Sequence, residues 1–171
     1  LHESFGTNWR MTEMQAAIGR IQVGRMGEWS TAREANAAVL HRALAAFAHE
    51  NGPVRIPSPY GRPELGNDSR HAYYKYYAYV RPENLADGWS RDRIVNEIVA
   101  CGVPCYQGSC SEVYLERTFD NTTWRPSLPL RVARELGETS LMFLVHPTLT
   151  PGEMQKSFEA IGKVLTEAQK P

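Results

Sequence analysis

The sequence predicts an α/β fold in which a small sheet is covered by helices, and two patterns lead to this prediction. Apolar residues recur at helical spacing in a long stretch near the beginning of the chain and in another at its end. Short apolar or aromatic runs of strand length lie between them, separated by turn-forming residues. The predicted order is a long helix, a strand, a helix, a strand, short helices, a strand and a final helix.

The first predicted helix begins at Thr12. The four residues from Thr12 to Gln15 fit a capping box, in which the threonine hydroxyl and the glutamine side chain each satisfy a backbone N–H of the first turn. Helical spacing of apolar residues follows and resumes after Gly24 and Gly27. We therefore expect one long helix, or two in near-continuation that bend at these glycines, ending near Gly52.

A loop with a short strand at 54–56 and an aromatic strand over 71–80 are predicted next. Pro, Gly and Asn are frequent from Pro53 to Ser69, which is typical of a loop. The aromatic residues of the second strand fall on both alternating faces, so we expect each face to be covered. A tyrosine-rich strand can serve as a ligand platform, or it can simply be packed with its hydroxyls bonded at the periphery.

The second half of the chain carries clear helix boundaries. Ser90 is a good N-cap for a helix that Gly102 ends. The residues from Thr150 to Glu153 fit a second capping box, with Pro151 at the first position of the last helix. The remaining predicted elements are a strand over 103–106, a short helix over 112–119, a helix opened by Pro129 and a buried strand over 141–145.

Composition excludes several classes of function. Lys plus Arg and Asp plus Glu each total 19, with no basic block, which argues against nucleic-acid binding. No apolar run reaches the roughly 20 residues of a membrane span, and no signal peptide is evident, so we expect a cytoplasmic protein. The three cysteines lack the paired spacing of zinc sites, and we expect them to be reduced and to bind no metal.

No self-sufficient catalytic set is present in the sequence, which lacks a phosphate loop, a nucleophile elbow and a metal-binding histidine pair. The strongest local signal is the segment from Gly6 to Met11, which leads directly into the first helix. A helix N-terminus attracts anions, and Asn8 and Arg10 add an amide donor and a planar cation. These two residues either bind an anion or shape the entry of the chain into the helix.

The residues from Gly6 to Gly19 resemble the G-x-N-x-R-M-T-E-x-Q-A-A-I-G segment of the DegT/DnrJ/StrS family of aminotransferases that depend on pyridoxal phosphate (PLP). Further matches to the family follow in order along the chain: His71-Ala72-Tyr73, the helix from Arg91 to Cys101 with Gly102-Val103, Leu128-Pro129 with Val132-Ala133, and the run from His146 to Thr150.

This resemblance implies the small carboxy-terminal domain of a fold-type I aminotransferase, with a long N-terminal helix and a small, mainly antiparallel sheet packed with helices. Residues 1–52 would be the linker and long helix that join it to the large domain, and residues 53–171 the small domain. The family's substrates are keto sugars linked to a nucleoside diphosphate, with glutamate or glutamine as amino donor. They serve the biosynthesis of cell-surface polysaccharides or secondary-metabolite sugars.

The resemblance also implies roles for single residues. Asn8 matches the asparagine that binds the PLP phosphate of the partner subunit in a homodimer, and Arg10 lies beside it as a candidate substrate-binding residue. None of the four lysines has the setting of the family's coenzyme-binding lysine. We therefore expect that lysine before Leu1, and this chain alone to contain no catalytic residue, bind no PLP and be inactive.

One loop departs from the family pattern. Many members carry a His-Tyr and proline-rich loop facing the sugar, whereas here the segment from Tyr106 to Tyr114 has a different sequence. Tyr106, Gln107 and Ser109 are the candidates for sugar contact, and a plain connecting loop is the alternative. A second reading of the whole chain also stays open: a stand-alone module that binds a small anion or mediates dimerisation without catalysis.

Overall fold

The computed structural model describes residues 4–6, 9–57 and 71–170. Its helices are α1 (Glu13–Gly24), α2 (Met26–Ala45), α3 (Arg91–Ala100), α4 (Arg131–Thr139) and α5 (Pro151–Ala168). Its strands are β1 (Val54–Arg55), β2 (Tyr76–Val80), β3 (Cys105–Tyr106) and β4 (Ser140–Phe143). The predicted α/β class, with a small antiparallel sheet and a long N-terminal helical stretch, is confirmed.

The four strands form one antiparallel sheet in the order β1-β2-β4-β3. Residues that pair across neighbouring strands share a face, so Tyr76, Phe143 and Cys105 lie on the same side. All three are buried, and this inner face packs against α2, α3 and α5. The outer face carries Tyr77 and Tyr79 and is partly covered by α4.

Helices α2 and α5 make the most extensive helix–helix contact among the described elements. The core-facing side of α2 presents Leu40 and Leu44, and that of α5 presents Ile161 and Leu165. Each of these side chains is almost fully buried, which stabilises the fold by about 1.5–3 kcal/mol per side chain. Because α2 contributes to this core, it packs with the residues after 53; the division at residue 52 stays a prediction.

Both predicted capping boxes are present. In α5 the Thr150 hydroxyl accepts the Glu153 N–H, and the Glu153 carboxylate accepts the Thr150 N–H at 2.8 Å. This bond lowers the pKa of Glu153. Because the pKa is lower in the folded state, Glu153 adds to the free energy of unfolding at pH values above the ordinary glutamate pKa. This contribution is lost as the pH falls through the lowered pKa. Acid therefore weakens the start of α5.

The long helical stretch is two helices, as one of the two predicted alternatives has it. The break falls at Arg25, between the two glycines, and α2 ends at Ala45 rather than near Gly52. Residues 46–52 form turns instead, with the Gly52 N–H donating to His49 O. The end of this helix was therefore predicted about two turns too late.

Three other element predictions need correction. The aromatic strand begins at Tyr76 rather than at residue 71, because Tyr73 has a left-handed φ of 44° and its N–H donates to His71 Nδ1. Residues 112–119 form two 3₁₀ turns instead of a helix. Pro129 does not open α4: Leu130 is the N-cap, and its N–H donates to the Tyr114 hydroxyl.

Helix α1 buries none of its side chains. Met14, Ile18 and Ile21 form an apolar stripe at helical spacing and are 78%, 58% and 60% exposed. Such a continuous apolar surface marks a contact face.

None of the helices in the described ranges has the length and apolar character of a membrane span.

The two capping boxes should differ in their effect on stability, because only α5 packs into the core. We expect Thr150→Ala to lower the free energy of unfolding by about 1 kcal/mol and Thr12→Ala by less than about 0.3 kcal/mol, since α1 frays without exposing buried surface. Urea unfolding followed by circular dichroism measures both values. Equal losses would show that α1 is part of the cooperative core.

The apolar stripe of α1 should cause this chain to self-associate at high concentration. Replacing Ile18 and Ile21 together with Gln should reduce the association, whereas Arg20→Gln on the same helix should leave it unchanged. Light scattering over a concentration series gives the average mass. A monomer at every concentration would contradict this expectation.

Candidate functional site

A groove of about 450 Å³, lined mainly by polar and charged residues, lies between the loop after β3 and helix α4. The loop supplies one wall and α4 supplies the other. The lining consists of the segment from Gln107 to Glu112, of Leu115 and Glu116, and of Arg134, Gly137 and Glu138. This groove contains two of the predicted site residues, and it is larger than the described cavity of about 210 Å³ that borders the tyrosine strand.

The bend of the loop into the groove depends on Gly108. Its φ is +90°, a backbone conformation that side chains rarely adopt. A Cβ at this position would also lie 2.8 Å from Ser140 Oγ and 3.2 Å from a ring carbon of Tyr77. Glycine is therefore required here for its conformation and for its small volume.

Two of the three predicted sugar-contact residues lie together in the groove wall. Gln107 donates its side-chain amide to Asp92 Oδ1 at 2.8 Å, and its carbonyl accepts the Ser140 hydroxyl. The Ser109 hydroxyl lies 3.3 Å from the Tyr77 hydroxyl. Tyr106 is exposed on the outer face of β3 and is not part of the groove lining.

The charge of the groove favours hydroxyl groups over phosphates. Three carboxylates, those of Glu112, Glu116 and Glu138, line it together with one guanidinium, Arg134. Arg134 Nε is 2.9 Å from Glu138 Oε1, and this bond raises the pKa of Arg134. Carboxylates accept hydrogen bonds from hydroxyl and ammonium groups and repel anions, so a sugar ring suits this groove better than a diphosphate does.

Tyr114 connects the loop to the start of α4. Its hydroxyl donates to Glu112 Oε1 at 2.6 Å and accepts the Leu130 N–H at 2.9 Å. The bond to Glu112 raises the pKa of Tyr114, because it stabilises the protonated phenol. The Glu112 carboxylate is thereby held at the groove.

The residues that hold the loop in place were not identified from the sequence. Asp92, Ser140 and Tyr77 each bind a loop residue from a different element. An aspartate in the first turn of a helix is expected because it interacts favourably with the helix dipole. The position of Asp92 in the sequence therefore does not indicate its bond to Gln107. No local sequence signal marks a contact between residues that lie 15 or 33 positions apart.

The predicted anion site at the start of α1 is described only in part, since Asn8 lies outside the described residues. Arg10 is exposed and does not line the groove. The capping box uses the Gln15 N–H, and the first-turn Glu13 brings a negative charge to this helix end. An anion at this helix end therefore needs the side chains of the preceding segment, and the anion site stays a prediction.

Comparison with known proteins identifies the family. The family model described as the DegT/DnrJ/EryC1/StrS aminotransferase family matches residues 1–162. This chain belongs to that family. The match spans nearly all of the chain and confirms the family resemblance of the sequence.

Two solved structures and one curated protein illustrate the relationship. The aminotransferase from Psychrobacter cryohalolentis is 54% identical, with a TM-score of 0.85 over 97% of this chain. TlmJ from Streptoalloteichus hindustanus is 18% identical with a TM-score of 0.73 over 95% of this chain, a similarity of fold. GDP-perosamine synthase of Caulobacter vibrioides is 26% identical over 166 residues, which are 94% of this chain.

The chain spans about two fifths of the length of these DegT/DnrJ/EryC1/StrS relatives. It covers 42% of the Psychrobacter aminotransferase, 39% of TlmJ and 39% of the Caulobacter synthase.

The family uses PLP, whose aldehyde is held by a lysine side chain. The side-chain amines of the four lysines offer no fit to the aldehyde. Lys75 Nζ lies 5.5 Å from the Tyr74 ring centroid, Lys170 Nζ donates to Glu83 O, and Lys156 and Lys163 lie on α5. None of these four lysines lines the groove.

The glycine of the groove wall provides a direct test of this geometry. We expect Gly108→Ala to lower the free energy of unfolding by about 2 kcal/mol, because the left-handed backbone and the close approach of Ser140 both oppose a Cβ. Gly152→Ala is the matched control, since no atom lies within 4 Å of its Cβ position. It should change the stability by less than about 1 kcal/mol.

Chemical denaturation of the two variants beside the unmodified chain measures the difference. If Gly108→Ala is as stable as Gly152→Ala, the wall does not have the conformation described.

Proposed function

We propose that this chain is the carboxy-terminal part of a PLP-dependent aminotransferase that acts on a nucleotide-linked keto sugar. The observation that carries the proposal is the family match over residues 1–162. The fraction of its relatives that the chain spans supports a role as one portion of a larger enzyme. Glutamate or glutamine is the proposed amino donor.

The proposed role of the groove is to hold the sugar ring. Backbone groups and the side chains of Ser109, Ser111 and Glu112 offer acceptors and donors to hydroxyls along one wall. The fixed backbone at Gly108 keeps this wall in one shape. The excess of carboxylates directs the diphosphate of the substrate away from the groove.

The proposed role of the segment before α1 is to bind phosphate. Asn8 donates its amide to the PLP phosphate of the partner subunit in a homodimer, and Arg10 supplies a positive charge beside it. When bound, the coenzyme carries the amino group from the donor to the sugar. The residues of this chain contribute binding and orientation, and the lysine that holds the coenzyme lies in another part of the enzyme.

The substrate class is supported by the name of one relative. The Caulobacter relative is a GDP-perosamine synthase, which makes a nucleotide-linked amino sugar. We propose the same substrate class for the whole enzyme, acting in the cytoplasm in the biosynthesis of cell-surface polysaccharide or secondary-metabolite sugars. The loop from Tyr106 to Tyr114 sets the identity of the sugar.

Coenzyme affinity tests the proposal. In the whole polypeptide, Asn8→Ala should raise the dissociation constant of PLP by about tenfold, because one hydrogen bond to a charged phosphate is lost. Titration of the apoenzyme with PLP, followed by visible absorbance, measures the constant. An unchanged constant would refute the phosphate role of Asn8.

Asn96→Ala is the matched control. Asn96 carries the same amide on the exposed side of α3, so its removal should leave coenzyme affinity unchanged. Absence of any PLP binding by the whole polypeptide would refute the proposed function itself.

A further inference from the structure

Asp92 joins two parts of the chain that border the groove. Its Oδ1 atom accepts Arg91 Nε at 2.6 Å and Gln107 Nε2 at 2.8 Å. One donor precedes it on helix α3, and the other lies in the groove wall. The carboxylate therefore fixes the wall relative to the first turn of α3.

Arg91 extends this connection to the opposite wall. The same guanidinium donates through one terminal nitrogen to Gly137 O at 2.9 Å and to Ser140 O at 3.2 Å. Gly137 lines the groove at the end of α4, and Ser140 begins β4. The Arg91 side chain is only 15% exposed, whereas that of Asp92 is 60% exposed.

Gln107 is held from two sides. Asp92 accepts from its side-chain amide, and the Ser140 hydroxyl donates to its backbone carbonyl. The two bonds come from different elements and act on different atoms of one residue. A residue held in this way keeps one position, which is the requirement for a binding wall that does not reorganise when a ligand arrives.

The ion pair between Arg91 and Asp92 differs from the second ion pair described on α3. Arg93 and Glu97 are 3.7 Å apart, both are about half exposed, and neither contacts the groove. A pair of that kind contributes little to stability. Arg91 and Asp92 instead form charge-assisted hydrogen bonds to the carbonyls and the amide that border both walls.

We propose that Arg91 and Asp92 are positioning residues that set the width and shape of the groove for the sugar. They act through Gln107 on one wall and Gly137 on the other, without contacting the sugar themselves. This inference rests on the proposed function, since it assigns the sugar to the groove. Loss of the pair should weaken sugar binding and leave the reaction with the amino donor unaffected.

The test compares Asp92→Ala and Asp92→Asn with Glu97→Ala as the matched control on the same helix. Amide hydrogen exchange of residues 106–110 needs no substrate. Asp92→Ala should increase exchange there by about tenfold, Asp92→Asn by less because an acceptor oxygen remains, and Glu97→Ala not at all. Unchanged exchange in Asp92→Ala would overturn the inference.

Activity of the whole polypeptide supplies the second measurement, with GDP-perosamine and 2-oxoglutarate as the probe in the direction that removes the amino group. Asp92→Ala should raise KM for GDP-perosamine by about tenfold with kcat within about twofold, the pattern of lost uniform binding. The rate at which glutamate converts the bound coenzyme to its amine form should not change. Asp92→Asn should restore part of the affinity.

The exchange and activity measurements together distinguish a failure of the proposed function from a failure of the positioning role. A whole polypeptide that converts neither its coenzyme with glutamate nor GDP-perosamine contradicts the proposed function, and the exchange measurement then still decides whether Asp92 fixes the wall. Equal KM values for Asp92→Ala and the unmodified enzyme, in an enzyme that is active, would overturn the positioning role.

Discussion

The burial of strand β4 is the constraint on which the rest of the structure depends. All four of its residues are buried, and it pairs with β2 on one side and β3 on the other. Leu141 and Phe143 face the core formed with α2, α3 and α5. Ser140, at its first position, faces the other way and binds the loop that forms the groove. The strand thus connects the stability of the core to the geometry of the site.

This arrangement explains how the loop wall of the groove is connected to the core. Ser140 is a buried polar residue, and its hydroxyl and carbonyl are both used, one by Gln107 and the other by Arg91. A buried polar group must be satisfied, and here its partners are Gln107, which lines the groove, and Arg91, which also binds Gly137 in the opposite wall. The requirement to satisfy Ser140 therefore joins the loop wall to the packed strand β4.

The sequence predicted the features that local chemistry determines. Capping residues located the starts of α1, α3 and α5, and the left-handed glycine located the end of α3. The start of the aromatic strand and the end of α2 were placed less well, because turns that the sequence pattern does not mark decide them. Examples are the bond from the Tyr73 N–H to His71 and the bond from the Gly52 N–H to His49 O. Gln107 and Ser109 were found as candidates, whereas Asp92, Arg91 and Ser140 were not, since their role depends on contacts between residues far apart in the chain.

We propose that the groove beside β4 receives the sugar of a nucleotide-linked substrate. A crystal structure of the whole polypeptide with its coenzyme and GDP-perosamine tests it most directly. The account predicts that the sugar ring lies against the loop at Gly108 and Ser109, with the diphosphate outside the three carboxylates. A sugar bound elsewhere, with the groove filled by solvent, would contradict it.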